Sequence, residues 1–190
     1  MAAVSVSRDR AWELFCAWTA SESLRAHVLG VEAAMVHYAR LGGEDEELWA
    51  ATGLLHDLDY ERFPDLETGH PRMAVAELRR LEYPEELIDA VAGHADFMGV
   101  PRVTPLARTL YAVDELSGFV AACARVRPTG LEGLTPKSVK KKLRQPSFAA
   151  GVGRDEVARG AAELGVDFDT HVERVIDAMR PRAAELGLAG

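Results

Sequence analysis

Apolar residues recur at three- and four-residue spacing through almost the whole chain, and no stretch alternates with the period of two that marks a half-buried strand. The pattern predicts an all-α protein. Trp12, Phe15 and Trp18 share one face of a first helix over about residues 8–19, with Ser7 as its N-cap. A second helix, capped by Ser21, carries Leu24, Val28, Val31, Met35 and Tyr38 and stops at Gly42-Gly43. A third starts near Asp45, carries Leu48, Ala51 and Leu55, and runs into His56-Asp57. Pro71 and Pro84 each read as the first position of a helix. Thr104-Pro105 opens the sixth and most apolar helix, which ends near Arg125. Thr135-Pro136 opens a seventh, and two more cover about 154–164 and 168–179, separated by Gly165. Residues 1–128 read as a helical core and residues 129–190 as a C-terminal helical annex packed on the same domain.

Composition narrows the class. A chain of 190 residues with 48% hydrophobic residues builds one ordinary globular unit. A formal net charge of -8 argues against a nucleic-acid polymer as partner, because non-specific binding to phosphates needs a basic surface. No apolar run approaches the roughly 18 residues of a membrane span, and Met1 to Arg10 lack an apolar signal core, so a cytoplasmic location is expected. Cys16 and Cys123 have no pairing pattern and read as small buried hydrophobes in a reducing compartment. His37, His171 and the run Glu44 to Glu47 read as solvated surface.

The rarer side chains change the picture. His27 lies at the edge of the second helix's apolar face, and His56 and Asp57 end the third. His70 precedes Pro71, and His94 falls on the face of Leu87 and Val91. Asp114 sits on the stripe of Leu110, Ser117 and Ala121, where a carboxylate is costly unless it is paired or binds a metal. Adjacent imidazole and carboxylate donors suit a borderline or hard divalent cation. Each also has an ordinary reading: His56 as a cap on helix carbonyls, His70 as a cap ahead of Pro71, His94 as a core histidine. Several helices that each offer one such group to the same core are harder to read that way.

The segments Leu24-Arg25-Ala26-His27-Val28-Leu29-Gly30, Leu54-Leu55-His56-Asp57, Gly69-His70-Pro71, Gly93-His94 and Leu110-Tyr111-Ala112-Val113-Asp114-Glu115 carry the order His, His-Asp, His, His, Asp. That order resembles the HD-domain superfamily of metal-dependent phosphohydrolases, in a small, poorly characterised HDIG-like branch. The resemblance implies an HD-domain helical bundle. It implies His27, His56, Asp57 and Asp114 as metal ligands, with His70 and His94 at the positions that two-metal members use for further ligands, and Asp57 as the bridge. One or two divalent ions follow, with Mn, Fe, Zn, Ni, Co and Mg not distinguished. The chain departs from the family pattern after the pair, reading Leu58-Asp59 in place of Ile-Gly, and has Tyr60 where another branch places a catalytic Glu.

What the resemblance implies chemically is attack of a metal-activated water on a phosphate ester. The expected substrate is a nucleotide or another small phosphorylated metabolite. Asp57 and Asp59 are the expected catalytic carboxylates, although Asp59 and Glu61 either protonate a leaving group or bond to the loop backbone. Arg72 and Arg102, which follow His70 and His94, read as phosphate contacts. Lys140, within the run Lys140-Lys141-Lys142, reads as a substrate contact or as part of a solvated face. Two other functions fit the same residues: a di-iron oxygenase of this fold, and a non-catalytic signalling module. The oligomeric state is left open.

Overall fold

A computed structural model describes residues 6–190. Among these residues there are nine α-helices and no strand; the only β-type contact is an isolated bridge between Gly130 and Ala189. The helices are α1 (Arg8–Trp18), α2 (Glu22–Gly42), α3 (Glu46–Leu55), α4 (Arg72–Arg80), α5 (Glu85–Gly93), α6 (Pro105–Arg125), α7 (Pro136–Leu143), α8 (Arg154–Leu164) and α9 (Phe168–Met179). A single 3₁₀ turn, Asp96–Met98, joins α5 toward α6, and another, Arg180–Arg182, follows α9. The reading of the N-terminal segment as free of a signal core falls partly on residues 1–5, outside the described residues.

The boundaries follow from local chemistry. Ser21 Oγ accepts from Leu24 N, Asp45 accepts from the amides of Glu47 and Leu48, and Gly43 closes α2 in the left-handed region at φ 70°. Thr104 caps α6 and Thr135 caps α7, each followed by a proline whose missing N–H costs nothing in the first turn. Two expectations shift. Pro71 and Pro84 stand at the cap positions, one residue before helical geometry begins. Ser7 makes no side-chain cap; the amide of Arg8 donates instead to Glu47 of α3, 2.7 Å away.

The two longest helices, α2 and α6, cross at the centre, with α3, α5, α8 and α9 packed around them. Val28, Val31, Met35, Leu54, Leu110, Phe119 and Val175 are all fully buried between these layers. Burial of this kind is the main stabilising term, at about 1.5–3 kcal/mol per large apolar side chain. One buried acid holds both ends of the chain to α2. Glu32 accepts from Arg8 of α1 at 2.7 Å and from Arg182 at 2.8 Å.

Two histidine and cysteine expectations are corrected here. His171 is not solvated but fully buried: Tyr38 donates its hydroxyl to Nδ1 at 2.6 Å, and Nε2 donates to the Ala112 carbonyl at 3.0 Å. Its helix explains this, because 171 falls on the same three-four stripe as Val172, Val175 and Ile176. Cys123 is buried, and burial pushes its thiol up to about 11, whereas Cys16 is only partly buried.

α8 approaches α6 closely because Gly160 has no side chain. A Cβ there would lie 2.6 Å from Ala112 Cα. Helix propensity alone favours alanine over glycine by about 1 kcal/mol. Backbone cannot yield as a side-chain end can, so the clash should outweigh this. Gly160→Ala is expected to destabilise the protein by about 1–3 kcal/mol in chemical denaturation; a stabilised variant would show that the two helices separate freely.

Candidate metal centre

Four helices deliver donors to one place. α2 supplies His27 and α6 supplies Asp114, whose Oδ1 lies 3.0 Å from His27 Nε2 and 3.4 Å from His56 Nε2. His56 and Asp57 follow the last residue of α3, and His94 follows the last residue of α5. His70 enters from the loop ahead of α4. The Asp57 carboxylate stands between the two sides. Its Oδ2 is 3.4 Å from His56 Nε2 and 3.7 Å from His27 Nε2, while its Oδ1 is 3.6 Å from His70 Nε2 and 3.8 Å from His94 Nε2. The donor atoms of His27, His56 and Asp57 all lie within 4.8 Å of one another, and so do those of Asp57, His70 and His94.

The hydrogen bonds behind the histidines fix which nitrogen faces inward. His56 Nδ1 donates to the Gly53 carbonyl at 2.8 Å, and His94 Nδ1 donates to the Val91 carbonyl at 2.5 Å. Both use a free carbonyl at a helix C-terminus, three residues back. His70 Nδ1 donates to Asp59 Oδ1 at 2.8 Å. These partners only accept, so each ring, when neutral, turns a bare Nε2 lone pair toward Asp57. His56 Nε2 is buried without a hydrogen-bond partner. His70 Nε2 and His94 Nε2 face each other across 3.2 Å. Two lone pairs repel at that distance, and an orphaned buried nitrogen is costly. A cation relieves both. A point equidistant from Asp57 Oδ1, His70 Nε2 and His94 Nε2 lies about 2.1 Å from each, a bond length suited to a divalent metal. The residues therefore fit a metal.

A proton on His56 answers the same carboxylates that a cation would. Burial opposes ionisation of Asp57 and Asp114, but His56 outweighs it and, with His27, holds both below the ordinary carboxylate range, Asp114 well below. Burial likewise opposes protonation of His56, yet Asp57 and Asp114 hold its pKa well above the usual value. His94 is pushed down by burial and then by His56.

A cavity of about 450 Å³ opens over this floor. Leu24, Tyr60, Leu66 and Phe97 are among its apolar lining, and Asp96, Glu115 and Glu156 are its acidic lining beyond the donor cluster. Among the described residues no lysine or arginine lines it. Burial and Asp114 push Glu115 up to about 7, and burial with Asp96 raises Glu156.

Several expected site residues lie elsewhere. Asp59 is fully buried behind His70, with Oδ2 accepting from Ala74 N at 2.7 Å, so both oxygens are engaged and neither reaches the cavity to protonate a leaving group. Glu61 accepts from the amides of Ala20 and Ser21 ahead of α2. Arg72 donates to the Leu66 carbonyl and lies over the ring of Phe97. Arg102 is held by Glu163, Asp96 and the Gly93 carbonyl and stacks on Tyr111. Lys140 pairs with Asp169 on the annex. None of the three cations lines the cavity, because each has found a nearer acceptor. Asp96 and Glu156 were missed. Their approach to the site depends on how the 3₁₀ turn and α8 pack, which no spacing in the sequence encodes.

The sequence matches the HD domain family over residues 24–118, the stretch that carries all six donors. The chain belongs to that family. HD domains are in general hydrolases that bind divalent metals, and the His/Asp cluster here can hold one. The chain is 35% identical over 100 residues to a Ribonuclease Y of Thermus thermophilus, covering 53% of this chain and 15% of the relative. It is 29% identical over 129 residues to Ribonuclease Y of Rhodopirellula baltica, covering 68% of this chain and 23% of the relative. The chain thus spans less than a quarter of the length of these curated relatives. No solved structure matches it. No helix among the described residues is long and apolar enough to cross a membrane.

Protons and a metal compete for the same Nε2 lone pairs. The neighbouring carboxylates extend that competition on His56 to higher pH. Metal binding should therefore release protons and weaken as pH falls from 8 to 6, measured by calorimetry in buffers of different ionisation enthalpy. Asp59→Asn, which weakens the anchor of His70, should cost roughly 10–100-fold in metal affinity. Unchanged affinity would remove Asp59 from the site's support.

Proposed function

We propose that the protein is a metal-dependent phosphohydrolase acting on a nucleotide or another small phosphorylated metabolite. The observation that carries this reading is the division of the Asp57 carboxylate, one oxygen toward His27 and His56, the other toward His70 and His94. A carboxylate so placed suits a bridge between two ions, with Asp114 completing the first set.

When bound, divalent ions supply a water of lowered pKa and neutralise phosphoryl oxygens. The chain's own residues set up that chemistry. The Gly53 and Val91 carbonyls and Asp59 keep the histidines in the ligating tautomer. Asp59 thereby acts as a positioning residue in this reading, and the role of leaving-group acid is not assigned to it. The floor is largely buried, and the cavity above it admits a small ester.

The Ribonuclease Y relatives favour a second reading, a phosphodiester bond in RNA as substrate. The acidic lining residues and the absence of a lining lysine or arginine weigh against a polyanion here, since a further phosphate would meet Glu115 and Glu156, to which no cation is bonded among the described residues.

The tests are direct. Metal content should approach two ions per chain under saturating manganese or iron, as the divided carboxylate suggests. Asp57→Ala should abolish metal binding while circular dichroism still reports a helical protein, because the core rests on apolar stripes. His94→Ala should lower the content toward one and reduce kcat more than it raises KM. Phosphate release from a panel of small phosphate esters, set against cleavage of single-stranded RNA and against oxygen uptake, separates the hydrolase, ribonuclease and oxygenase outcomes. Saturation at one ion with a fully active His94→Ala protein would overturn the two-ion mechanism.

A further inference from the structure

The cavity is a paradox for a site that accepts phosphate. Its metal floor is suited to an anion, but Asp96, Glu115 and Glu156 also line it. Asp96 is already compensated: Arg102 donates to it at 2.9 Å, Tyr111 donates its hydroxyl at 3.1 Å, and Arg159 also pairs with it. Glu115 and Glu156 have no such partner. Glu115 accepts only the amide of Gly153, at 2.9 Å, and no lysine or arginine bonds to either carboxylate among the described residues. Arg159 and Arg102, whose charges act on Glu156, are bonded to Asp96 instead. Arg154, two residues before Glu156, spends its guanidinium on the carbonyls of Leu143, Gln145, Phe148, Ala149 and Val152. Arg102 and Arg159 are thus spent on Asp96, and neither Glu115 on α6 nor Glu156 on α8 has a cation bonded to it among the described residues.

We propose that the cavity takes a phosphate monoester whose leaving group carries an ammonium, with Glu115 and Glu156 as its counter-ions. This rests on the hydrolase reading above. The phosphate lies at the His/Asp floor, where the buried, unpartnered His56 Nε2 already points to a bound cation. The leaving group reaches across the cavity, its short carbon stem against Leu24 and Tyr60, to the two carboxylates. Opposite charges held at a partly desolvated wall attract far more than in bulk water, and a like charge in the same place is rejected. In the reaction a water oxygen forms a new bond to phosphorus. The ester P–O bond breaks with its electron pair on the leaving oxygen, and a proton from the water ends there. The products are inorganic phosphate and an amino alcohol.

Binding and turnover test this separately. The protein saturated with manganese is titrated with 3-aminopropylphosphonate, propylphosphonate and 4-phosphonobutyrate, whose P–C bonds hydrolysis does not break. The ammonium probe should bind about tenfold tighter than the neutral one, and the carboxylate probe weakest of the three. Glu156→Gln should shrink the preference at least about threefold, with folding checked by its thermal transition. Equal binding of the ammonium and neutral probes, tighter binding of the carboxylate probe, or no binding of the ammonium probe overturns the proposal, whatever the variant does. Phosphate release is then compared for phosphoethanolamine and ethyl phosphate. A higher kcat/KM for phosphoethanolamine supports the proposal, and equal release from both overturns it while the hydrolase reading stands. An ammonium preference in binding with release from neither ester supports the recognition and removes the hydrolase reading instead.

Discussion

Two ionised carboxylates, Asp57 and Asp114, sit largely withdrawn from solvent on the floor of a cavity in a helical bundle, and the rest of the structure answers to that constraint. A buried carboxylate without a partner costs several kcal/mol and would take up a proton instead. Here the partners are imidazoles that come from four separate segments, so the position of each helix is tied to the charge balance of the others. The same constraint explains why three of the histidine rings are anchored from behind by acceptors. Only rings with fixed tautomers present lone pairs, and lone pairs crowded around a carboxylate need a cation to be stable together. The division of Asp57 between two sets of histidines is the most economical account of why the cluster contains more nitrogen donors than one carboxylate pair requires.

The site does not end where the family match ends. α8 lies beyond residue 118, yet it brings Glu156 to the cavity, while Val152 lines the cavity just before it. Gly160 permits the close crossing of α8 on α6 at Ala112, two residues before the candidate ligand Asp114. Arg102 ties α8 through Glu163 to the end of α5, one residue before His94. His171 pins α9 to the same Ala112 through its carbonyl. The C-terminal helices therefore set both the shape of the cavity and the stiffness of the helix that carries Asp114. A hydrophobic core of this density transmits small displacements, because side chains cannot yield independently.

Much of this was legible in the sequence. Helix number, order and most boundaries followed from apolar spacing and from caps such as Ser21, Asp45, Thr104 and Thr135, because these depend on residues within one turn of each other. The six donors were identifiable too, since an acid or histidine on an apolar stripe demands an explanation that local structure does not offer. His171 satisfied the same criterion on the stripe of α9 but lay outside the constellation, and its burial went unread.

Other features required the folded chain. Arg72, Arg102 and Lys140 are cations near candidate ligands in sequence, but a flexible cation goes to whichever acceptor the fold places closest, and in each case that was a carbonyl or carboxylate away from the cavity. Asp59 sits two residues from Asp57, yet the turn after α3 rotates it behind His70. Asp96 and Glu156 reach the cavity only through the packing of a 3₁₀ turn and of α8. The sequence by itself determined which residues are helical and which polar groups had to find partners in the core. Tertiary structure decided which partners they found, because hydrogen bonds and ion pairs act over about 3 Å and depend on the separation of segments that the chain order leaves far apart.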